Sequence, residues 1–139
     1  MHASELIGYQ LEASGKQIEK ALEGLDESKW EGRLRADCMS PAETVAHLTE
    51  CYIAAQKDIA GKQHEWGSYF ASEDTPEGLL KTMRAEREKA CESIRGANDE
   101  NALKAATQYI VLHDAYHVGQ LSAYRMGVEP EWDSYTIYN

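Results

Sequence analysis

Two histidines one helical turn apart, His113 and His117, are the residues whose spacing first suggests chemistry. A helix through the segment HDAYHVGQ would project both imidazoles from one face, with Cβ atoms about 5–6 Å apart. Neutral imidazole nitrogens bind divalent metals at about 2.0–2.1 Å, so two such rings can converge on one ion. The pair therefore indicates two metal ligands, although histidines on a buried stripe also occur as hydrogen-bonded core residues.

A third ligand has to come from elsewhere in the chain, and His47 is the best-placed histidine. It lies one turn inside a helix start, at the edge of that helix's apolar stripe, and such a position points towards a neighbouring helix. Cys51 is a further donor, although a small buried packing residue is the commoner role for such a cysteine. Three protein ligands leave a position open for water or substrate, whereas a fourth closes the site.

Two other metal motifs match these residues poorly. His113 and His117 have the HExxH spacing with Asp114 in place of the glutamate, but no histidine follows to serve as a downstream ligand. A ferritin-like di-iron bundle needs Glu-x-x-His on two helices, and only Asp114-x-x-His117 is similar. We therefore expect a single ion. Helical phase turns Asp114 and Glu43 away from it, Asp114 as a surface or interface charge and Glu43 as a helix cap.

Four amphipathic segments must position these side chains. The sequence predicts helices over about 4–24, 40–61, 75–96 and 98–127, separated by two long connections at 26–39 and 61–75. The clearest start is Ser40-Pro41-Ala42-Glu43, with an N-cap serine, a proline at the first helical position and a glutamate three residues after the cap. We expect an all-α fold, one four-helix bundle domain over residues 1–139.

Along the fourth predicted helix, the residues expected to face the core recur at alternating spacings of three and four positions. Its seam is expected to include His113, His117, Gln120 and Tyr124. Gly119 is expected to allow the close approach of another helix. The aromatic tail after residue 127 is expected to pack on the body of the protein or on a second subunit.

Composition excludes several classes of partner. Lys and Arg total 14 against 24 Asp and Glu, a net charge of -10, which argues against nucleic acid and anionic membrane surfaces. No apolar run reaches the roughly 18 residues of a membrane span, and the first residues lack a signal-peptide pattern. Three cysteines without a CxxC pair do not make a disulfide framework. We therefore expect a cytoplasmic protein whose partner is a small molecule or another protein.

Taken together, these motifs resemble the DinB/YfiT-like family of metal-dependent enzymes over nearly the whole chain. The resemblance rests on the second-helix start SPAETVAHL and above all on HDAYHVGQ, with Trp30 and, in the tail, Gly127, Pro130 and Trp132. It implies a four-helix bundle with unusual handedness in its connections, often a homodimer. It also implies a divalent metal held by three histidines, which map onto His47, His113 and His117.

The resemblance further implies a kind of reaction. Relatives include thiol-dependent transferases and isomerases that use low-molecular-weight thiols such as bacillithiol or mycothiol. We therefore expect an S-transferase, isomerase or hydrolase acting on a small electrophilic substrate, with a metal-bound thiol or water as nucleophile. Zinc or nickel is the expected cofactor, with iron as a further candidate, because imidazole ligands suit all three.

Two side chains are expected to bind the substrate beside the metal. One rival hypothesis for the function of the protein also remains. Gln120 and Tyr124 are the predicted substrate-binding residues, and Gln120 is placed to contact either a substrate or a metal-bound histidine. The rival hypothesis is a non-catalytic, dimeric helical binding or sensor protein in which the metal is structural or adventitious.

Overall fold

Four long helices make up most of the computed structural model, which describes residues 1–139 and contains no β-strand. Helix α1 spans Ala3–Leu22, α2 spans Pro41–Ile59 and α3 spans Pro76–Ala97. The fourth helix, α4, consists of three consecutive stretches, Glu100–Ala105, Ala106–Val111 and Leu112–Val128. Short 3-10 turns occupy Glu27–Lys29 and Ser134–Tyr138. The predicted all-α class with four helices and two long connections is confirmed.

A complete capping box begins α2 about two turns before His47. The Ser40 hydroxyl accepts a hydrogen bond from the Glu43 backbone N–H at 3.1 Å, and the Glu43 carboxylate accepts one from the Ser40 N–H at 3.2 Å. Such reciprocal bonds satisfy two of the backbone donors that a helix start leaves unpaired. The predicted start of α2 is confirmed.

The end of α3 lies slightly beyond the predicted stop at Gly96. The helix continues to Ala97 and is closed by Asn98, whose backbone has a positive φ of 43°. Asparagine is one of the few residues that tolerates this left-handed conformation, which satisfies the last carbonyls of a helix. The next residue, Asp99, then caps α4 by accepting from the Ala102 N–H at 2.8 Å.

The middle stretch of α4, Ala106–Val111, is a π-helix, a feature that the sequence did not predict. A π turn pairs residues five apart rather than four, so the residues after it are rotated relative to a continuous α-helix. The predicted seam is therefore wrong in part, since His113 and Gln120 are only half-buried. The centre of the buried face is instead formed by Asp114, Val118, Leu121 and Arg125.

A buried hydrogen-bond network joins all four helices at Asp114. This carboxylate is completely buried and accepts hydrogen bonds from Arg87 on α3 at 2.7 Å, Ser14 on α1 at 2.7 Å and Tyr52 on α2 at 2.5 Å. A buried charge is costly unless it is paired and hydrogen-bonded, and these three donors meet that requirement. The expectation that Asp114 is a surface or interface charge is wrong.

The tail folds back onto the body of the protein. Ile137 packs against the apolar core, and the Arg125 guanidinium lies 4.8 Å from the centre of the Trp132 ring, a cation–π contact. The tail therefore takes the first of its two predicted roles. None of the helices combines the length and apolar character needed to cross a membrane.

Candidate metal centre

Three imidazole rings from α2 and α4 converge beside the first half of α2. The ring centres of His47 and His117 are 5.0 Å apart, those of His47 and His113 5.9 Å, and those of His113 and His117 6.2 Å. The structure thus brings together, from two helices, the three histidines selected from the sequence. His2 and His64 lie outside this group, and the Nε2 of His64 instead bonds Glu50 at 3.0 Å.

Hydrogen bonds orient two of the rings so that the same nitrogen of each is left free. The Nδ1 of His117 bonds the Gln120 side-chain oxygen at 2.8 Å, and the Nδ1 of His113 bonds the Gln108 backbone carbonyl at 2.8 Å. Because a carbonyl oxygen only accepts, Nδ1 carries the hydrogen in both rings and Nε2 keeps a lone pair. This arrangement is typical of histidines that bind a metal.

The surroundings of His117 and His47 favour the neutral form of these two rings, which is the form that binds a metal. Burial, aided by the neighbouring His47 and His113 and opposed by the hydrogen bond to Gln120, lowers the pKa of His117 to about 4. Burial, and then the nearby His113, also lower the pKa of His47. Since only neutral imidazole donates a lone pair, these two rings do not need to lose protons before binding an ion.

Cys51 is close enough to be considered as a donor. Its Sγ lies 3.6 Å from the Nε2 of His47, and the donor atoms of His47, Cys51 and His113 all lie within 4.8 Å of one another. The side chain is completely buried, however, and burial raises the pKa of its thiol to about 12. This group of mutually close donor atoms includes Cys51 and leaves out His117, whose ring centre lies 5.0 Å from that of His47. The three histidines and the group of His47, Cys51 and His113 are therefore alternative donor sets.

A cavity of about 470 Å³ opens onto the three histidines but not onto Cys51. One wall is formed by α4 side chains, including Tyr116 and Gln120, and the other by the first long connection, at Arg35, Asp37, Cys38 and Met39. An ion entering from solvent therefore meets the three imidazoles first. A larger cavity of about 640 Å³, between the end of α1 and the start of α3, contains no histidine or cysteine.

The two predicted substrate-binding residues have different positions. Gln120 lines the histidine cavity, accepts from His117 and donates its amide N–H to the Tyr116 hydroxyl at 3.1 Å. Tyr124 lies outside that cavity, and its buried hydroxyl donates to the Lys29 carbonyl at 2.6 Å. Gln120 therefore acts on a histidine ring, while Tyr124 fixes the first connection against α4.

The sequence also predicts roles for Glu43 and Gly119. Glu43 caps its own helix and pairs with Arg33, so it is turned away from the histidines as expected. Gly119 does not serve a close helix approach, because a Cβ added there would meet no atom within 4 Å. That expectation is wrong, and Gly119 instead borders open space.

Two parts of the site were missed from the sequence. The Gln108 carbonyl that orients His113 belongs to the π-helical stretch, and a backbone acceptor leaves no mark on residue type. The wall formed by Arg35 and Cys38 comes from a connection whose path depends on tertiary packing. The one usable signal for that path was Trp30, which is buried and donates its indole N–H to the Leu25 carbonyl at 3.2 Å.

Comparison of the chain with protein-family models, with curated proteins and with solved structures gave no match.

Proposed function

We propose that this chain is a divalent-metal-dependent enzyme whose ion is held by the Nε2 atoms of His47, His113 and His117. The observation that carries the proposal is the convergence of three rings, two of which have Nδ1 bound to a carbonyl oxygen. An isolated core histidine would leave its second ring nitrogen unsatisfied at a cost of about 1–3 kcal/mol, whereas a shared ion would use the Nε2 lone pairs of His113 and His117.

The three histidines are preferred over the set containing Cys51 for two reasons. The cavity reaches all three imidazoles, whereas the cysteine is sealed in the core behind His47. The ring of His117 is also held in a ligand orientation by Gln120. Three neutral ligands leave at least one exchangeable position.

The chemistry follows from that ligand set. A divalent ion with three neutral ligands would lower the pKa of a bound thiol or water and polarise an electrophile. The protein would orient the rings through Gln120 and the Gln108 carbonyl, and the wall at Arg35 and Asp37 would face the reacting groups. We propose an S-transferase or isomerase that uses a low-molecular-weight thiol, or a hydrolase that uses water.

The identity of the ion and the biological setting are part of the same proposal. Imidazole donors favour zinc or nickel, with iron as a further candidate. The motif resemblance supports a DinB/YfiT-like, cytoplasmic homodimer, and the charge of -10 supports a small-molecule substrate rather than nucleic acid.

A structural metal is the second candidate function, and the position of Cys51 favours it. With its Sγ 3.6 Å from the Nε2 of His47, this thiol would supply a fourth donor and close the site. The protein would then be a non-catalytic binding or sensor protein, because a fully coordinated ion has no exchangeable position for substrate.

An activity screen with a chelator arm tests the proposal. Protein purified without a metal-affinity step would be loaded with zinc or nickel and offered electrophiles with and without added thiols, alongside His117→Ala. We expect turnover that requires the ion and is lost in the variant. Turnover that survives both chelation and the substitution would refute a metal-dependent reaction, and turnover without added thiol would identify the hydrolase form.

A further inference from the structure

A second cavity, of about 360 Å³, adjoins the histidine cavity on the side towards the end of α4. The two cavities share four lining residues, Cys38, Met39, Tyr116 and Gln120. Gln120 thus bonds His117 in the histidine cavity and also borders the neighbouring space. A molecule with its reactive end at the histidines would extend directly into this second cavity.

The second cavity has no charged residue in its lining. Its walls include the apolar side chains of Leu34, Met39, Pro41, Leu121 and Ala123. The histidine cavity, by contrast, includes Arg35 and Asp37 as well as the three imidazoles. The histidine cavity therefore suits polar, reacting groups, and the second cavity suits an uncharged group.

Three polar side chains of the second cavity, those of Thr44, Gln120 and Tyr124, are already bonded within the protein. The Tyr124 hydroxyl donates to the Lys29 carbonyl at 2.6 Å, and the Thr44 hydroxyl donates to the Ser40 carbonyl at 2.9 Å. The amide of Gln120 is likewise used at both ends. A polar ligand would lose its bonds to water there and find few replacements, which is unfavourable.

Exposed apolar side chains at the cavity give a reason for an apolar group to bind. Leu34 is 52% exposed and Met39 is 41% exposed, although both side chains are apolar. Covering such surface is favourable by about 0.8 kcal/mol for each methylene group buried. Pockets for small molecules commonly combine an apolar lining with a few polar groups at one end.

We propose that the second cavity binds the apolar tail, alkyl or aryl, of a substrate whose polar reactive end lies at His47, His113 and His117. The inference rests on the proposed metal site for the reactive end of the substrate, but the second cavity itself contains none of the three histidines. The substrate class is therefore a small amphiphilic electrophile rather than a molecule charged at both ends.

A substitution at Gly119 would fill the second cavity with a side chain without disturbing the histidines. Gly119 lines the second cavity and not the first, and a Cβ added there meets no atom within 4 Å. Gly119→Leu should therefore fold and bind metal normally, with the new leucine side chain occupying the second cavity. Gly96→Leu is the matched control, because Gly96 also has open space and lines neither cavity.

The test is isothermal titration of zinc-loaded protein with a series of alkyl hydroxamates, from acetohydroxamate to the octanoyl compound. The head group binds the ion, and only the chain length varies. We expect affinity to rise about fourfold per added methylene until the cavity is full. The rise should be kept in Gly96→Leu and lost in Gly119→Leu, with acetohydroxamate binding equally to all three proteins.

Failure of this inference can be told apart from failure of the metal site. The proposed role of the second cavity is refuted if acetohydroxamate binds but longer chains bind no better. It is also refuted if Gly119→Leu keeps the increase in affinity with chain length. The metal site stands in either case. If no hydroxamate binds because no ion is held, a second arm decides. Metal-free protein is titrated with 1-hexanol, and shifts of the Gly119 and Leu121 amide signals in NMR spectra support the cavity, whereas their absence overturns it.

Discussion

The guanidinium of Arg87 donates a hydrogen bond to Oδ2 of Asp114 at 2.7 Å in the interior of the bundle. Burial opposes the charge of Arg87, but attraction to Asp114 and Tyr52, together with the hydrogen bond to Asp114, raises the pKa of the guanidinium. Burial and Asp114 likewise raise the pKa of Tyr52 well above its usual value. Because Asp114 lies between His113 and His117 in sequence, this anchored carboxylate sets the rotation of α4 that presents the two imidazoles.

The first prediction concerns this ion pair. Asp114→Ala leaves the half-buried Arg87 without a counter-ion and the Ser14 and Tyr52 hydroxyls without their acceptor, and we expect the free energy of unfolding to fall by about 3–5 kcal/mol in urea titrations. Arg87→Met/Asp114→Leu should recover part of the loss, because both charges are removed. Asp74→Ala is the control, since Asp74 is exposed and should change stability little. A loss below about 1 kcal/mol for Asp114→Ala would contradict the anchoring role.

Much of this fold is predictable from local sequence signals. The start of α2 follows from Ser40 and Glu43, and the shared face of His113 and His117 follows from helical spacing. These features depend on residues a few positions apart, so their physics is contained in short segments.

The remaining features depend on contacts between distant segments. The π turn at Ala106–Val111 has no residue signature, yet it moves Asp114 to the centre of the core and His113 to its edge. A buried Asp114 is stable only because Ser14, Tyr52 and Arg87 arrive from three other helices. No periodicity in α4 alone could show that those donors would be present.

The second prediction concerns the bond between His117 and Gln120. Gln120→Ala removes the acceptor that holds Nδ1, and we expect zinc affinity to fall about 10–100-fold in competition with a chelating dye. Gln120→Glu should keep most of the affinity, because its carboxylate still accepts. Gln108→Ala is the matched control, since His113 bonds the backbone carbonyl there and not the side chain. Equal effects of Gln120→Ala and Gln108→Ala would argue against an orienting role.

The third prediction separates the two donor sets. If three histidines hold the ion, Cys51→Ser should keep metal affinity within a few-fold, whereas His117→Ala should lose it. Cobalt-loaded protein should lack the near-ultraviolet band that thiolate–cobalt bonds produce. A strong band that disappears in Cys51→Ser would instead assign the sulfur as a ligand and favour the closed, structural site.

The fourth prediction concerns removal of the ion. The apolar core spans all four helices and Asp114 joins them independently of the histidines, so the metal-free protein should remain folded. We expect chelation to leave the far-ultraviolet circular dichroism unchanged and to lower the melting temperature only modestly. Cooperative loss of helix on chelation would mean that the metal is a folding element, as it is in small zinc domains.

The most direct measurement is the metal content of protein purified without a histidine tag or a nickel column. The three-histidine site predicts about one divalent ion per chain, lost in His113→Ala and in His117→Ala while both variants stay helical. Protein that contains no ion and takes up none when zinc, nickel or iron is added would contradict the central claim. An ion content unchanged by both substitutions would contradict it equally.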